Sequence, residues 1–542
     1  MPRSETSAPA PAPAPAPRAG GSVPREELAA VALLLFVSIA LAAWRLDLTL
    51  AGPDPDSDSY GHHAIARQLL VEPRDLSVHW VWLPLFHYAQ ALLVLLGGTM
   101  QTVRYLNVAL WAAVPLVLFF FLRKPRESDP TAFIAALFAM LMPIGMQMGT
   151  TAQPEPLFCL LVLGFAFAFD RARYVLAGAL LAGATLLRYE AWAILPVVGA
   201  WVLVDVARRR RLTRTCALVA LPALGLFAWA VARRVNDGAW LAFLAQTRDF
   251  ANDALREKTS LDGGAAKLFE DVRFYTWDVP VKLFGPAIVL VVLGLVRTVR
   301  RQGSMFVLWF GACLAFVTLT WVMRSSLGLL RHFVVLIPLY ATLAANGAVT
   351  LGELAVAAGR AMKLAPREGP SRASGWIFGV VNAASAACAL WIVWSLLGAW
   401  MTNWRYAVEH PWPDRVAMGA YLRSLPSTAT IVCDESTVEI LSGLDRHRFD
   451  RHWVDEPGGV ARIEALADSD PQRVVYVATW MRKLRDLRAA DAGPIVYRPP
   501  SDADIGGKDD MGLAVLRVER GASRAPHAPP AQAPTSEPAP RR

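Results

Sequence analysis

The sequence predicts a polytopic α-helical membrane protein with a small soluble α/β domain towards its C-terminal end. Three observations carry that prediction. Of 542 residues, 55% are hydrophobic and only 18% are charged, where a soluble surface needs roughly a quarter charged. Apolar runs close to the ~20 residues of a spanning helix recur from Leu28 to Trp400. Beyond Trp400 that pattern stops, and short β-rich segments alternate with helical ones.

The first run, Leu28–Trp44, follows Arg18 and Arg25 and has no small-residue cleavage pattern, so it reads as a retained span. Further runs lie at about 80–98, 103–122, 131–148, 154–169, 173–187, 191–206, 214–232, 281–296, 304–323, 332–350 and 376–400. Basic residues decide how many of them cross. They cluster at Arg123–Arg126, Arg171–Arg173, Arg208–Arg214, Arg297–Arg301 and Arg360–Arg372, and basic loops prefer the cytoplasm. A full crossing by 80–98 would put every cluster outside; an interfacial or re-entrant segment puts every cluster inside. That run opens on His79, Trp80, Trp82, Pro84 and His87, which is interface chemistry. The expectation is therefore eleven crossings with the N-terminus in the cytoplasm.

The resulting domains are a transmembrane unit over 27–400, with outer loops 46–88 and 233–280, and an outer α/β domain over 401–520. In the latter, Ile431–Cys433, Val474–Thr479, Ile495–Tyr497 and Leu513–Val518 read as strands. Asp414–Leu425, Thr437–Leu444, Val460–Ala467 and Met481–Ala489 read as helices. With no Gly-rich phosphate loop and no nucleophile elbow, this domain is assigned packing or acceptor recognition. The ends, 1–26 and 521–542, are Pro-rich and expected to be disordered tails.

The net charge of +9 would suit nucleic acid, but the basic residues follow loops instead of forming one patch, so no nucleic-acid partner is expected. The Ala- and Arg-rich composition points to a bacterial inner membrane, with the α/β domain in the periplasm. Cys159, Cys216, Cys313, Cys388 and Cys433 have no metal-site spacing and read as small buried hydrophobes.

Chemistry concentrates in two places. The loop after the first span reads Gly52-Pro53-Asp54-Pro55-Asp56-Ser57-Asp58-Ser59-Tyr60. A helix is expected from near Ser59, with Asp58 or Ser59 as its cap. The three carboxylates are either a solvated, capped turn or a crowded group in which one pKa rises, suited to a general base or a cation site. His62, His63, His79 and His87 lie in or beside this loop at spacings that match no metal motif. The second place is the outer ends of later spans, which carry Glu155, Arg188, Glu190, Arg331 and His332. A lone arginine there would snorkel. A set of both signs on the face that holds the acidic loop predicts one shared cleft, with carboxylates for a hydroxylated acceptor and arginines for a phosphate.

Taken in order, several segments resemble the C-type glycosyltransferases (GT-C), polytopic enzymes that use polyprenyl-phosphate-linked sugars. They are Asp56-Ser57-Asp58-Ser59-Tyr60, Trp82-Leu83-Pro84-Leu85-Phe86-His87, Val103-Arg104-Tyr105-Leu106-Asn107, Glu155-Pro156-Leu157-Phe158, Leu187-Arg188-Tyr189-Glu190 and Arg331-His332-Phe333. Members include protein O-mannosyltransferases of glycosyltransferase family 39 and lipid A aminoarabinose transferases. His332 stands where many members have Tyr, and the first loop lacks the Asp-Glu pair of the O-mannosyltransferases.

The resemblance implies a GT-C fold of about eleven transmembrane helices and an inverting transfer. Asp58, with Asp56 second, would be the general base, and Glu155 and Glu190 would orient the acceptor or act as second acids. Arg331, Arg188 and His332 would hold the donor phosphate. No cofactor is required; a divalent metal at Asp56 and Asp58 is compatible with the pattern. The implied partners are a polyprenyl-phosphate-linked sugar, a hydroxyl acceptor on a glycolipid, polysaccharide or protein, and the bilayer. The rival readings are a lipid or sugar flippase, for which repeated halves and mid-span charges are expected, and a non-catalytic GT-C-like assembly subunit.

Overall fold

The computed structural model describes residues 25–123, 130–209, 212–255, 264–362, 372–450 and 458–470, then 472, 474–484, 487, 492–499 and 512–518. The Pro-rich ends fall outside the described residues, except that Arg25 already opens the first helix.

Helix α1 (Arg25–Ala51) is followed by the acidic loop and by α2 (Ser57–Val71). Helix α3 (Leu85–Leu95) has 11 residues. At 1.5 Å per residue it reaches about 16 Å, half the hydrocarbon thickness. Then come α4 (Met100–Leu122), α5 (Thr131–Leu141) and α6 (Pro143–Met148). Pro143 cannot continue α5, and Met142 before it is extended. Next are α7 (Glu155–Asp170), α8 (Tyr174–Thr185), α9 (Ile194–Arg209), α10 (Leu212–Asp237), the amphipathic α11 (Ala242–Leu255), α12 (Gly264–Arg273) and α13 (Val279–Phe284). Helices α14 (Ile288–Gln302), α15 (Ser304–Val322), α16 (Ile337–Ala361) and α17 (Arg372–Glu409) complete the membrane part.

Eight helical segments among the described residues are long and apolar enough to cross a bilayer, and three shorter apolar helices accompany them. This is an integral membrane protein. Each of the eleven runs counted as crossings carries helix. Helix α16 sits at the centre, with its N-terminal half, Ile337–Val349, buried. It meets α14 backbone to backbone: a Cβ on Gly347 would stand 1.9 Å from the Leu290 carbonyl oxygen, so only glycine fits. Cys159, Cys313 and Cys433 are buried, but Cys388 is exposed on α17, contrary to the expectation from its apolar run. A long span must present part of its apolar surface outward, and the sequence run does not show which part.

Helix α17 has 38 residues, about 57 Å at 1.5 Å per residue, and so carries the chain well beyond a ~30 Å hydrocarbon layer. It leads to α18 (Pro413–Ser424) and a five-stranded sheet of β1 (Thr430–Cys433), β2 (Phe449–Asp450), β3 (Val475–Trp480), β4 (Ile495–Tyr497) and β5 (Leu513–Arg517). The order is β2-β1-β3-β5-β4; β2 and β3 flank β1 in parallel, and β5 runs antiparallel between β3 and β4. Two-residue β2 was not legible in the sequence. Helix α19 (Ser436–Ser442) links β1 to β2, and α20 (Gly459–Asp468) lies between β2 and β3. Part of the helix expected over Met481–Ala489 lies outside the described residues; Met481–Leu484 forms a 3-10 turn. The sheet domain docks on α2, where Arg67 donates to the Leu444 carbonyl at 2.8 Å and stands 3.9 Å from Glu439.

Candidate active site

Asp54 anchors the acidic loop from inside. It is fully buried; its Oδ1 accepts from the Asp56 amide at 3.0 Å and its Oδ2 from the Ala152 amide at 2.7 Å. Buried Arg104 on α4 fastens the same seam, donating to the Thr150 carbonyl at 2.8 Å and to the Gly52 carbonyl at 2.7 Å. Burial pushes the Asp54 carboxyl up, against the pull of Arg104.

Asp56, and neither Asp58 nor Ser59, caps α2. Its Oδ1 accepts from the Asp58 amide at 3.1 Å, so the helix starts at Ser57 and leaves Asp58 in the first turn. The first turn of a helix presents unpaired amides and a partial positive charge, and a carboxylate there is favoured.

Arg331 comes from a 3-10 turn, Leu330–Leu336, that leads into α16. Its Nη1 donates to both oxygens of Asp56 at 3.4 and 3.2 Å, its Nη2 donates to Asp58, and its Nε lies 3.6 Å from Glu155. Arg188, extended just before the 3-10 turn Tyr189–Ala193 that follows α8, donates to Glu155 from Nη1 and to Glu190 from Nε and Nη2, at 2.8–3.2 Å for Glu190. His332 Nδ1 lies 2.8 Å from both Arg188 Nη2 and Glu190 Oε1. All seven residues singled out in the sequence thus join one side-chain network, drawn from four separate stretches of chain.

The network forms one wall of a cavity of about 520 Å³. Asp58, Arg188, Glu190, Arg331 and His332 line it, whereas Asp56 and Glu155 do not. The opposing walls are largely apolar, with Trp82, Phe86, Trp192 and Phe250 among them. The two aspartates differ electrostatically. Burial raises Asp56 to about 7, opposed by Arg331 and aided by its acidic neighbours. Burial acts on Asp58 in the same direction, but Arg331 outweighs it and holds Asp58 below the usual carboxylate range.

A divalent cation does not fit Asp56 and Asp58 as they stand. The guanidinium of Arg331 already bridges them and would repel a metal. Among the described residues no cluster of three or more His, Cys, Asp or Glu forms a metal cage.

Two features escaped the sequence reading. His62, on the cavity wall, is 2.8 Å from His87 (Nδ1 to Nε2), and His87 is 2.7 Å from His79 (Nδ1 to Nδ1), giving a buried chain of three imidazoles. Burial pushes His62 and His79 down to about 3, so they are neutral. Arg233, fully buried on α10, reaches Asp237 at 2.6 Å, the Leu76 carbonyl at 3.2 Å and Gln246 at 3.2 Å, which ties the segment after α2 to the start of α11. Four histidines in one short segment were the only sequence signal for the first; nothing marked the second.

No protein-family model matches the chain, and no curated protein matches it. Among solved structures, ArnT from Cupriavidus metallidurans bound to undecaprenyl phosphate superposes with a TM-score of 0.54 at 13% identity, over 91% of this chain and 98% of that one. The chain has the GT-C fold. The same ArnT without ligand gives a TM-score of 0.48 at 13% identity, covering 92% and 99% of the two chains. The archaeal oligosaccharyltransferase AglB from Archaeoglobus fulgidus, in complex with an inhibitory peptide and a dolichol-phosphate, gives 0.48 at 11% identity, covering 92% and 76%. In the GT-C fold found here, both the membrane part and the soluble domain are accounted for, since the ArnT match runs over nearly the full length of each chain.

Proposed function

We propose that this protein is a membrane glycosyltransferase that moves a sugar, a mannose-like hexose by preference, from a polyprenyl-phosphate carrier to an acceptor hydroxyl on the non-cytoplasmic face. The observation that carries the reading is Arg331: a guanidinium bonded to two loop carboxylates at the wall of a half-apolar cavity. Such a pair supplies a cation for a leaving phosphate and a base for an incoming hydroxyl side by side. The ArnT structure of the same fold holds undecaprenyl phosphate, a lipid phosphate of the donor class.

In this mechanism the donor phosphate takes bidentate hydrogen bonds from Arg331, with Arg188 alongside, and releases Asp58 from its ion pair. Asp58 accepts the proton of the acceptor hydroxyl as that oxygen bonds to the anomeric carbon. The bond from the anomeric carbon to the phosphate oxygen breaks on the opposite side, so configuration inverts, and the arginines neutralise the departing phosphate. Glu155 and Glu190 keep the two guanidinium groups oriented, and His332 braces Glu190. Asp58 is favoured over Asp56 as the base because it alone of the loop carboxylates lines the cavity. The bacterial inner membrane, with the cavity and sheet domain facing the periplasm, is the proposed setting.

A general base typically contributes ~10²–10⁴ in rate. The test compares cell-envelope glycolipids, polysaccharides and glycoproteins by mass spectrometry in wild type, deletion, and deletion complemented with the Asp56→Asn, Asp58→Asn protein. Deletion and variant should lose the same sugar from the same conjugate. A variant that restores everything the deletion lost would sink the assignment and favour a flippase or scaffold.

A further inference from the structure

A second cavity, of about 660 Å³, lies between the membrane part and the sheet domain. Its volume is within the ~300–1,000 Å³ of small-molecule sites. It opens where β1 and β2 end, since Asp434, Ser436 and Asp450 line it. Chain order β2-β1-β3 makes the connections leave β1 on one side and return on the other. That reversal falls between β1 and β3, beside the cavity, and the carboxyl ends of the strands are the side on which open α/β sheets bind ligands.

The lining is mixed in sign and aromatic. Glu72, Asp75, Asp434 and Asp450 face Arg446 and Arg462, and the half-buried indoles of Trp80 and Trp82 form part of the wall. Asp434 is pre-oriented: it accepts from Thr479 at 2.5 Å and from Lys483 at 2.8 Å. Indole faces take the C–H face of a sugar ring, while carboxylates and guanidinium groups bond its hydroxyls. The acidic excess disfavours a phosphorylated ligand, and the polar walls disfavour a lipid chain.

Trp80 and Trp82 line both cavities. Helix α2 is the ridge between them: Asp58 and His62 face the first, and Gly61, Ile65 and Gln68 face the second. Asp58 and Gly61 are three residues apart, about 4.5 Å along the helix axis. Gly61 admits Trp82, since a Cβ there would come within 2.8 Å of the indole. Trp80 adopts φ 49°, ψ −113°, a conformation unusual for an aromatic residue and kept only where the surroundings enforce it. The Trp80 amide donates to the Ser77 carbonyl at 2.9 Å, and its carbonyl accepts from Arg233 at 3.4 Å. The strained backbone stands the indole between the cavities, against Phe250 at 4.8 Å.

We propose that this second cavity binds a neutral glycan, the sugar-bearing end of the acceptor, and that Trp80 and Trp82 hand it on towards Asp58. The proposal rests on the glycosyltransferase reading for the word acceptor; the glycan site itself is independent of it.

The test uses the full-length chain in lipid nanodiscs. Saturation-transfer NMR reads binding of mannotetraose, maltotetraose and cellotetraose, with a Ser/Thr-rich nonapeptide as rival probe. Undecaprenyl phosphate affinity is measured on the same samples. At least one tetrasaccharide should bind. Glu72→Ala and Arg462→Ala, on opposite walls, should each weaken it about two- to tenfold, the worth of one hydrogen bond, and leave undecaprenyl phosphate affinity unchanged. Loss of lipid-phosphate binding in one variant would mark a folding defect, and the other variant then decides. The glycan site is overturned if no tetrasaccharide binds, if binding ignores both variants, or if only the peptide binds. A protein that binds a tetrasaccharide but not undecaprenyl phosphate would keep the glycan site and lose the glycosyltransferase reading.

Discussion

Replacing Asp58 by Asn should separate two properties that usually fall together, abolishing sugar transfer while tightening the hold on lipid phosphate. In the structure Arg331 Nη2 donates to Asp58, so an arriving phosphate must displace or share that carboxylate. A hydrogen bond to a charged group is worth ~1.5–3 kcal/mol and a neutral one ~0.5–1.5 kcal/mol; Asn retains only the second. Removing the carboxylate also removes its repulsion of the phosphate, ~3 kcal/mol for unit charges about 5 Å apart at an effective dielectric of about 20. The Asp58 side chain is 35% exposed, and screening by cavity water cuts that figure substantially. A net gain of ~1.5–3 kcal/mol remains, a roughly ten- to hundredfold lower Kd for undecaprenyl phosphate. Transfer should meanwhile fall by ~10²–10⁴ with the base gone. Native mass spectrometry of nanodisc-embedded wild type and Asp58→Asn across a lipid-phosphate titration reads the affinity. Unchanged or weaker binding would mean that phosphate and Asp58 do not compete for Arg331, and the mechanism built on that exchange would fall.

Asp56 supplies a pH test. Its carboxyl sits near 7 in the fold against an ordinary 3.8, so the folded protein holds a proton there that the unfolded chain gives up above about 4. That contribution to stability is present at low pH and lost as pH rises through 7. Protonated Asp56 loosens its grip on Arg331, so undecaprenyl phosphate should bind more tightly at pH 6 than at pH 8, and this gain should shrink in Asp56→Asn; equal pH profiles refute it, since the phosphate's own titration is common to both. The histidine chain has the opposite sign. His62 and His79 sit at about 3 against 6.5, so their share of stability is present above 6.5 and is lost as pH falls towards 3, and the melting temperature should drop between pH 7 and 4. His87→Phe leaves two buried imidazole nitrogens unpaired at ~1–3 kcal/mol each, and an unchanged melting temperature at pH 7 would show that the chain does not form. Gly347→Val would drive methyl groups into the α14 backbone and should abolish the monodisperse detergent-extracted protein; normal recovery by size-exclusion chromatography would contradict the close helix contact.

The fold class was legible because its signals are local. Apolar runs announce spans wherever they fall, and the four longer strands of the sheet domain are short apolar segments between turn residues. The two-residue β2 carries too little pattern to register, and Pro143 splits a run that hydropathy alone reads as one. Candidate site residues were legible by exception: a charge at the end of a span has to be accounted for. Their pairing was not, because Arg331 meets Asp58 across 273 positions of sequence and no periodicity links them. The histidine chain failed for a different reason. His62, His79 and His87 bond through ring nitrogens in a line, a geometry with no fixed spacing, whereas metal sites at least constrain theirs.

The division of labour proposed for Asp56 and Asp58 follows from what each is already bound to. Asp56 has its Oδ1 committed to the Asp58 amide as the cap of α2, and both oxygens lie within 3.4 Å of Arg331. Swinging it towards a substrate would uncap the helix, which costs ~0.5–2 kcal/mol, and it does not line the cavity. Asp58 caps nothing, lines the cavity, and is bonded to the one group that a donor phosphate would take away. A carboxylate kept ionised by an arginine is a poor base until that arginine is occupied elsewhere. In the proposed mechanism, donor binding would therefore raise the proton affinity of Asp58 as a hydroxyl arrives, and a transferase working this way would have little tendency to activate an acceptor before its donor is in place.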